Sequence, residues 1–341
     1  MSPLAEPIIE ACAGAEPHPA RYQIAVGDVP FVLSGAPDVL AACGFDVFAS
    51  GCTVLPSGHA SPSGTRTIHV ACGPEVAATL PLLPAVDLEH GRRPAVLDDV
   101  VIAVRGQPVV IYAVAADRRT GAVWFPGPLL RPQWEFARPL LPAVQAMLRD
   151  TPWAVLHAAA VGLGEQTVLL TGGSHAGKSS LALAALQRGG QFFGDDVVAV
   201  SAVDGRVRVA RVYDTARLRM PPTPGLEALV AHGFASHEDG EARTELRLRP
   251  LLAGRAVTAE VTHLVQLQRD GAPAPTFGSV SRAQIISTTT GSTLQVTFGD
   301  LAHHATVMAV CRQLRPRRFD PGPDLEAAVA ALGDWLAVPS Q

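Results

Sequence analysis

Basic residues are scarce in this 341-residue chain, and lysine is nearly absent. The chain carries 27 lysines and arginines against 31 aspartates and glutamates, for a net charge of −4. Proteins that bind nucleic acids or anionic membranes normally carry a basic excess. We therefore expect neither a nucleic-acid nor a membrane partner. All of the basic residues except Lys178 are arginine, so the position of the single lysine needs an explanation.

Cysteines are few, odd in number and widely spaced, with no Cys-x-x-Cys pair. This pattern excludes a disulfide framework and argues against a zinc site. Free thiols fit a reducing cytosol, so we expect a cytoplasmic protein. Long hydrophobic runs are also missing, and the first residues contain early glutamates instead of a basic segment before an apolar run. We therefore expect a soluble chain without a signal peptide.

The chain is long and apolar enough for two domains with substantial cores, since 48% of its residues are hydrophobic and only 17% are charged. Residues 1–20, rich in Ala, Pro and Glu, predict a loose tail. Residues 21–145 contain short strand patterns between Gly, Pro and Asp turns, which predicts a smaller strand-rich α+β domain of unassigned role. Residues 146–341 alternate strand and helix patterns, which predicts an α/β domain.

A glycine-rich loop in the second half fits the phosphate-binding pattern G-x-x-x-x-G-K-[ST]. An apolar strand pattern precedes it and a helix pattern follows it, as such a loop requires. Its backbone N–H groups and the helix N-terminus would face phosphate oxygens, and a compact lysine ammonium fits inside the loop better than a planar guanidinium. The candidate nucleotide-binding residues are Gly172, Gly173, Ser174, His175, Ala176, Gly177, Lys178, Ser179 and Ser180, with Ser179 also a candidate Mg²⁺ ligand.

Asp195 and Asp196 follow the loop closely, 17 and 18 residues after Lys178. One carboxylate can orient Mg²⁺ and the other can accept a proton from an attacking hydroxyl. Adjacent strand residues point to opposite faces, so both can serve only if the backbone bends, and Gly194 could supply that bend. The alternative is a solvated turn at the start of a strand.

His157 precedes Lys178 by 21 residues, in a segment that we expect to return toward the loop. A histidine among apolar residues is often a buried structural group, but here it could orient an aspartate base. Arg217 and Arg219 follow a later strand pattern and are candidates for a clamp on the γ-phosphate or on an acidic acceptor. A pair of surface arginines is the alternative.

These segments together resemble the catalytic domain of the HPr serine kinases and related bacterial kinases. The resemblance rests on HAAAV, LLTGGSHAGKSSLAL and RGGQFFGDDVVAV and on their spacing, and it covers residues 150–205 well. It implies a P-loop kinase domain of the HPr-kinase C-terminal type that uses ATP and Mg²⁺. It further implies Asp195 as base, Asp196 as metal or acceptor contact, His157 as the residue that positions the base, and a homo-oligomer.

The family's later Glu-x-Arg-Gly-Leu-Gly segment has no counterpart, because EARTELRLRP at 241–250 lacks the glycines. The pattern is therefore closer to the HPr-kinase-related proteins, including those that phosphorylate the C-terminal serine of lasso-peptide precursors. We expect a kinase that phosphorylates a serine on a peptide or small protein. A regulatory NTPase without transfer and a small-molecule kinase are the alternatives.

Overall fold

The computed structural model describes residues 5–56, 61–74, 76, 95–97, 100–102, 110–130, 133–238, 241–296 and 304–338. The chain divides into two compact units, Met1–Thr151 and Pro152–Gln341. Helices and strands are mixed throughout, as the sequence predicted for an α/β chain. None of the described helices is long and apolar enough to cross a membrane.

The first unit is built around one mixed sheet. Its described helices are α1 (Ala5–Gly14), α2 (Pro37–Ala42), α3 (Gln133–Ala137) and α4 (Leu141–Met147). The described strands are β1 (Ala20–Val26), β2 (Val29–Gly35), β3 (Thr53–Val54), β4 (Arg66–Cys72), β5 (Ala95–Leu97), β6 (Val100–Ile102), β7 (Ile111–Val114) and β8 (Thr120–Phe125). The strand order of the sheet is β3-β1-β2-β4-β8-β7, and β4 pairs in parallel with both β2 and β8. Strands β5 and β6 pair antiparallel as a separate two-stranded sheet.

Helix α1 lies where the sequence predicted a loose tail, and that prediction is wrong for residues 5–14. Ala5, Ile8, Ile9 and Cys12 are buried and form a core cluster with residues of β4, β7 and β8. Their spacing of three, four and seven residues is that of one helical face. The Pro and Glu content of the segment hid this apolar stripe, which stabilises the helix by packing.

The second unit combines a six-stranded sheet with two smaller sheets. The helices are α5 (Lys178–Gln187), α6 (Arg249–Leu252), α7 (Arg282–Val296), α8 (His304–Gln313) and α9 (Leu325–Ala337). The strands are β9 (Trp153–Leu156), β10 (Ala159–Leu163), β11 (Gln166–Thr171), β12 (Gln191–Gly194), β13 (Val198–Val203), β14 (Arg206–Arg211), β15 (Thr215–Arg219), β16 (Gly233–Glu238), β17 (Glu241–Arg247), β18 (Thr258–Glu260), β19 (His263–Leu267), β20 (Thr276–Gly278) and β21 (Pro316–Asp320).

The six-stranded sheet has the order β12-β10-β11-β19-β21-β20, with β11, β19 and β21 parallel to one another. Strand β11 is apolar without alternation because both of its faces are covered. Val168 and Leu170 pack into one core with residues of α5 and α9, whereas Leu169 packs into a second core with residues of α7 and α8. Each fully buried leucine contributes about 1.5–3 kcal/mol to folding.

Two chain segments connect the four-stranded sheet, ordered β18-β14-β13-β9, with the six-stranded sheet, and they cross side by side in opposite directions. His157 and Ala158 connect β9 to β10, and residues 195–197 connect β12 to β13. The flanking strands are paired on each side, Leu156 with Val198 in one sheet and Ala160 with Gly194 in the other. The crossing therefore brings His157 and the two aspartates to one place.

Candidate functional site

The glycine-rich loop connects the end of β11 to the start of α5, as the sequence predicted for residues 172–177. Gly172 has φ of 144°, and a Cβ there would lie 2.6 Å from the carbonyl oxygen of Leu267. Gly177 has φ of 100° and is the N-cap of α5. Both positions thus require glycine. The bend directs the loop around the positive end of the α5 dipole, which favours an anion.

Lys178 is buried at the first position of α5 and points back into the loop. Its ammonium donates hydrogen bonds to the carbonyl oxygens of Gly172 at 2.8 Å and Gly173 at 3.1 Å. Burial lowers the pKa of Lys178, and the negative charge of Asp195 opposes that shift. The ammonium is therefore held at the mouth of the loop and has lost much of its hydration before any ligand arrives.

The hydroxyl residues of the loop differ in exposure. Ser174 and His175 lie exposed at its tip, and His175 has φ of 64°. Ser179 and Ser180 are half-buried in the first turn of α5, where the Ser180 hydroxyl lies 3.4 Å from that of Thr223. Ser179 instead faces Asp195 and lowers its pKa. Among the described residues, Ser179 is thus the one serine of this group that lies next to a carboxylate.

Asp195 is buried, and burial raises the pKa of its carboxyl. A hydrogen bond from the Arg217 backbone N–H to Oδ2, at 3.1 Å, acts the other way, as do the Ser179 hydroxyl and the charge of Lys178. The second oxygen, Oδ1, is buried without a hydrogen bond of standard geometry to the described residues. A buried carboxylate oxygen in that state is costly, and a ligand at this position would relieve the cost.

Asp196 turns away from its neighbour and pairs with His157. Its Oδ1 lies 2.9 Å from Nε2 of the imidazole. On the other side of the ring, Nδ1 lies 3.2 Å from the carbonyl oxygen of Ser292, and the His157 backbone N–H donates to the Thr293 hydroxyl. The carbonyl of Ser292 can only accept a hydrogen bond, so Nδ1 carries a proton. The contact between Nε2 and the Asp196 carboxylate needs a second proton, so the imidazole and the carboxyl group together hold two. In the ionic form these are both on the imidazolium, and Asp196 is a carboxylate.

The expectation that His157 positions Asp195 is corrected by this geometry, because the histidine contacts Asp196. The reason is the backbone of the crossing. Gly194 has φ of 140° and Asp196 has φ of 66°, so the two adjacent carboxylates leave the chain in different directions. Gly194 supplies the expected bend, but the bend separates the aspartates into one that faces the loop and one that faces His157.

Arg217 and Arg219 lie on β15 in the three-stranded sheet β15-β17-β16, and both are engaged by glutamates. Nε of Arg217 donates to the buried Glu245 at 2.9 Å, and the more exposed Arg219 pairs with Glu241. The hydrogen bond from Arg219 lowers the pKa of Glu241, and the charge of Arg243 acts in the same direction. The role as a phosphate clamp stays a prediction for both arginines. In that role each guanidinium would have to contact a phosphate oxygen as well as its glutamate.

Sequence reasoning missed the two glutamates and the α7 contacts of His157. Glu241 and Glu245 alternate with arginines in EARTELR, a pattern that would have indicated cross-strand ion pairs once β15 and β17 were aligned. Ser292 and Thr293 lie 135 and 136 residues from His157 in sequence. No local pattern could have joined these residues to the histidine.

The chemistry of these residues fits a magnesium ion bound together with a phosphate group. No group of three or more His, Cys, Asp or Glu side chains is arranged for a metal within the described ranges. Mg²⁺ in phosphate-transfer sites needs less, because it is held by one or two protein groups together with phosphates and waters. The Asp195 carboxylate and the Ser179 hydroxyl that faces it provide such a pair of oxygen ligands.

The fold and site define a mixed α/β chain whose second unit carries a phosphate-loop sequence between a strand and a helix, with two aspartates and a histidine beside it. No protein-family model matches the chain, and no curated protein matches it. Among solved structures, one similar chain is the Hpr(Ser) kinase/phosphatase from Coxiella burnetii, at 19% identity and a TM-score of 0.24. The match covers 37% of this chain and 77% of the other, and the likeness is weak.

Proposed function

We propose that the second unit is a P-loop kinase domain of the HPr-kinase C-terminal type, which transfers the γ-phosphoryl group of ATP to a serine hydroxyl of a peptide or small protein. One observation carries the proposal: a buried lysine and a buried aspartate converge on one glycine-rich loop, and a second aspartate beside them is paired with histidine. Binding of phosphate alone would not require this second pair.

The loop and Lys178 would hold the phosphate chain. Backbone N–H groups of residues 173–179 and the α5 dipole attract the β-phosphate, and the Lys178 ammonium exchanges its two carbonyl partners for phosphate oxygens. Ser179 and Asp195 would hold Mg²⁺. When bound, Mg²⁺ and ATP supply the metal charge and the transferable phosphoryl group. Because the Lys178 ammonium has already lost much of its hydration, little free energy is needed to reorganise its surroundings when charge develops on those oxygens.

Asp196 would accept the proton of the attacking serine hydroxyl. It is more exposed than Asp195, and its pairing with His157 fixes the orientation of its carboxylate. The serine oxygen forms a bond to the γ-phosphorus as the bond from that phosphorus to the β,γ-bridging oxygen breaks, and the proton goes to Asp196. This assignment exchanges the roles that the sequence resemblance gave to the two aspartates, and it follows the side of the site that each one faces.

Transfer from γ-labelled ATP to matched peptides tests the proposal. We expect the full chain with Mg²⁺ to label a serine peptide and not the same peptide with alanine in place of serine. Asp196→Asn should lower the rate by about 10²–10⁴-fold and leave ATP binding within about twofold of the unchanged protein, because general base catalysis contributes on that scale. Release of labelled phosphate to water alone would favour the regulatory NTPase, and labelling of only a small alcohol would favour the small-molecule kinase.

His157→Gln separates a positioning role from a structural one. If His157 holds Asp196, the variant should lower the transfer rate and shift its dependence on pH, whereas KM for ATP should stay near that of the unchanged protein. A lower rate with an unshifted pH profile would mean that the histidine only supports the fold. Label that never leaves ATP under any of these conditions would contradict the kinase proposal.

A further inference from the structure

Arg269 lies against the phosphate loop, although it is 92 residues from it in sequence. A Cβ placed on Gly177 would come within 3.2 Å of one terminal nitrogen of the Arg269 guanidinium and 3.4 Å of its Nε. A side chain at position 177 would therefore crowd this guanidinium. Arg269 is exposed, and its charge adds to the backbone hydrogen bonds that lower the pKa of Asp320. Within the part of the chain that the structure describes it forms no direct ion pair, in contrast to Arg217 and Arg219.

A buried carboxylate fixes the turn that carries Arg269. Asp320, at the end of β21, accepts hydrogen bonds from the backbone N–H groups of Asp270 at 2.7 Å, Ala272 at 3.2 Å and Gly322 at 2.9 Å. The neighbouring acid, Asp270, is already engaged by Arg318 at 3.0 Å. These contacts hold the turn in place, and Arg269, whose charge acts on Asp320 without a direct ion pair, lies beside the loop.

Strand order indicates which end of a nucleotide Arg269 would meet. Strands β12, β11 and β19 all run in the same direction, so their carboxyl ends lie at one edge of the sheet. The two aspartates follow β12, the loop follows β11 and Arg269 follows β19, with the loop between the other two. If the transferring phosphate points toward the aspartates, the nucleoside end of the nucleotide points toward β19. Ligands of open α/β sheets bind at this edge.

We propose that Arg269 binds the nucleoside end of ATP by laying its guanidinium plane on the face of the base. A planar guanidinium stacks on aromatic rings, and its weak hydration makes that contact less costly for arginine than for lysine. The inference rests on the proposed function, because it requires ATP to occupy the loop. It adds a residue that contacts the nucleoside and that no pattern in the sequence marked.

Binding measurements on the full chain with Mg²⁺ test the inference, with ATP, ADP and inorganic tripolyphosphate as the probes. We expect Arg269→Ala to weaken ATP and ADP by the same factor, about tenfold for one lost stacking contact, and to leave tripolyphosphate within about twofold. Arg269→Lys should weaken ATP like the alanine variant, because lysine keeps the charge and loses the plane. Arg206→Ala, at another exposed arginine of the same unit, is the matched control and should change none of the three.

The outcomes separate this inference from the proposed function. Unchanged ATP binding by Arg269→Ala would overturn the inference, and so would an equal loss of ATP and tripolyphosphate or a full rescue by Arg269→Lys. None of those results would touch the kinase proposal, provided that the unchanged protein binds ATP and Lys178→Ala does not. Failure of the unchanged protein to bind ATP would instead remove the proposed function and the inference that rests on it.

Discussion

Two buried carboxylates, one taken from each unit, differ in how their oxygens are hydrogen-bonded. Glu135 on α3 is fully buried in the first unit, where Oε2 accepts from the Tyr112 hydroxyl at 2.6 Å and Oε1 from the Leu140 backbone N–H at 2.7 Å. Asp195 in the second unit has one oxygen bonded to the Arg217 backbone N–H and one buried without a hydrogen bond of standard geometry among the described residues. Both are removed from water, but among the described residues only Glu135 has a hydrogen bond of standard geometry to each oxygen.

The difference teaches how to distinguish a structural acid from a functional one. A buried acid whose oxygens are both bonded within its own unit contributes to folding, since each bond offsets the loss of hydration. A buried acid with an open oxygen costs stability, and a protein retains that cost where a ligand or reaction uses it. The comparison yields predictions for substitutions in both units.

The largest effect is expected at Lys178, the cation that faces the open carboxylate. Lys178→Arg should lower phosphoryl transfer by at least about 10³-fold, because the wider guanidinium does not fit inside the loop and charge stabilisation is lost. Arg255→Lys is the matched control, since Arg255 also donates to backbone carbonyls, those of Gly189 and Gly190 beyond the other end of α5. It should retain nearly full activity. Comparable activity of Lys178→Arg and the unchanged protein would show that the loop does not select for lysine.

The two carboxylates should respond in opposite ways to removal of their charge. Asp195→Asn should lower transfer by about 10²–10³-fold and leave the free energy of unfolding at neutral pH equal or higher, because a buried charge is removed. Glu135→Gln should cost about 1–3 kcal/mol of stability by disrupting satisfied hydrogen bonds, with little change in the activity of the folded fraction. Chemical denaturation and transfer assays on both variants check this. A loss of stability in both variants would contradict the distinction between a structural and a functional buried acid.

Replacing Gly194 should have a larger effect on stability and rate than replacing a glycine whose role is conformational alone. Gly194→Ala places a Cβ 2.6 Å from Cγ1 of Val198, so we expect a stability loss of about 1–3 kcal/mol and a rate loss of about 10²-fold as the aspartates shift. Gly164→Ala is the control, with φ of 59° and nothing within 4 Å of its Cβ. It should cost about 1 kcal/mol or less and leave the rate unchanged. Equal effects of the two changes would assign no special role to the bend.

The smallest effect is the pH dependence of the Asp195→Asn stability change. The pKa of Asp195 in the folded protein is raised above its ordinary value of 3.8. In the pH window between those two pKa values, the native state therefore holds a proton that the unfolded chain has released. Stability of the unchanged protein therefore falls as the pH rises through the window, and asparagine shows no such fall. The advantage of the variant should be absent below about pH 4 and should grow as the pH rises above that value. A constant difference across this range would contradict the raised pKa.

Local patterns in the sequence predicted the loop well and its surroundings poorly. The loop, its strand and its helix occupy one continuous stretch, in which glycine spacing and apolar periodicity carry the information. The pairing of His157 with Asp196 depends on two chain segments that cross between sheets, and Arg269 reaches Gly177 only through the parallel pairing of β11 with β19. Helix α1 was visible in principle, since the positions of Ala5, Ile8 and Cys12 carry its period.

The single lysine also determines how this protein responds to amine chemistry. Apart from the N-terminal amine, Lys178 is the only primary amine that the chain offers, and it is buried at the mouth of the loop. A nucleotide carrying an acyl phosphate would deliver its reactive group to that one side chain, so a single labelled peptide would report occupancy of the loop. Acetylating or ubiquitinating enzymes have no other lysine to modify. Any modification found on a lysine of this chain would therefore also be a modification of the phosphate loop.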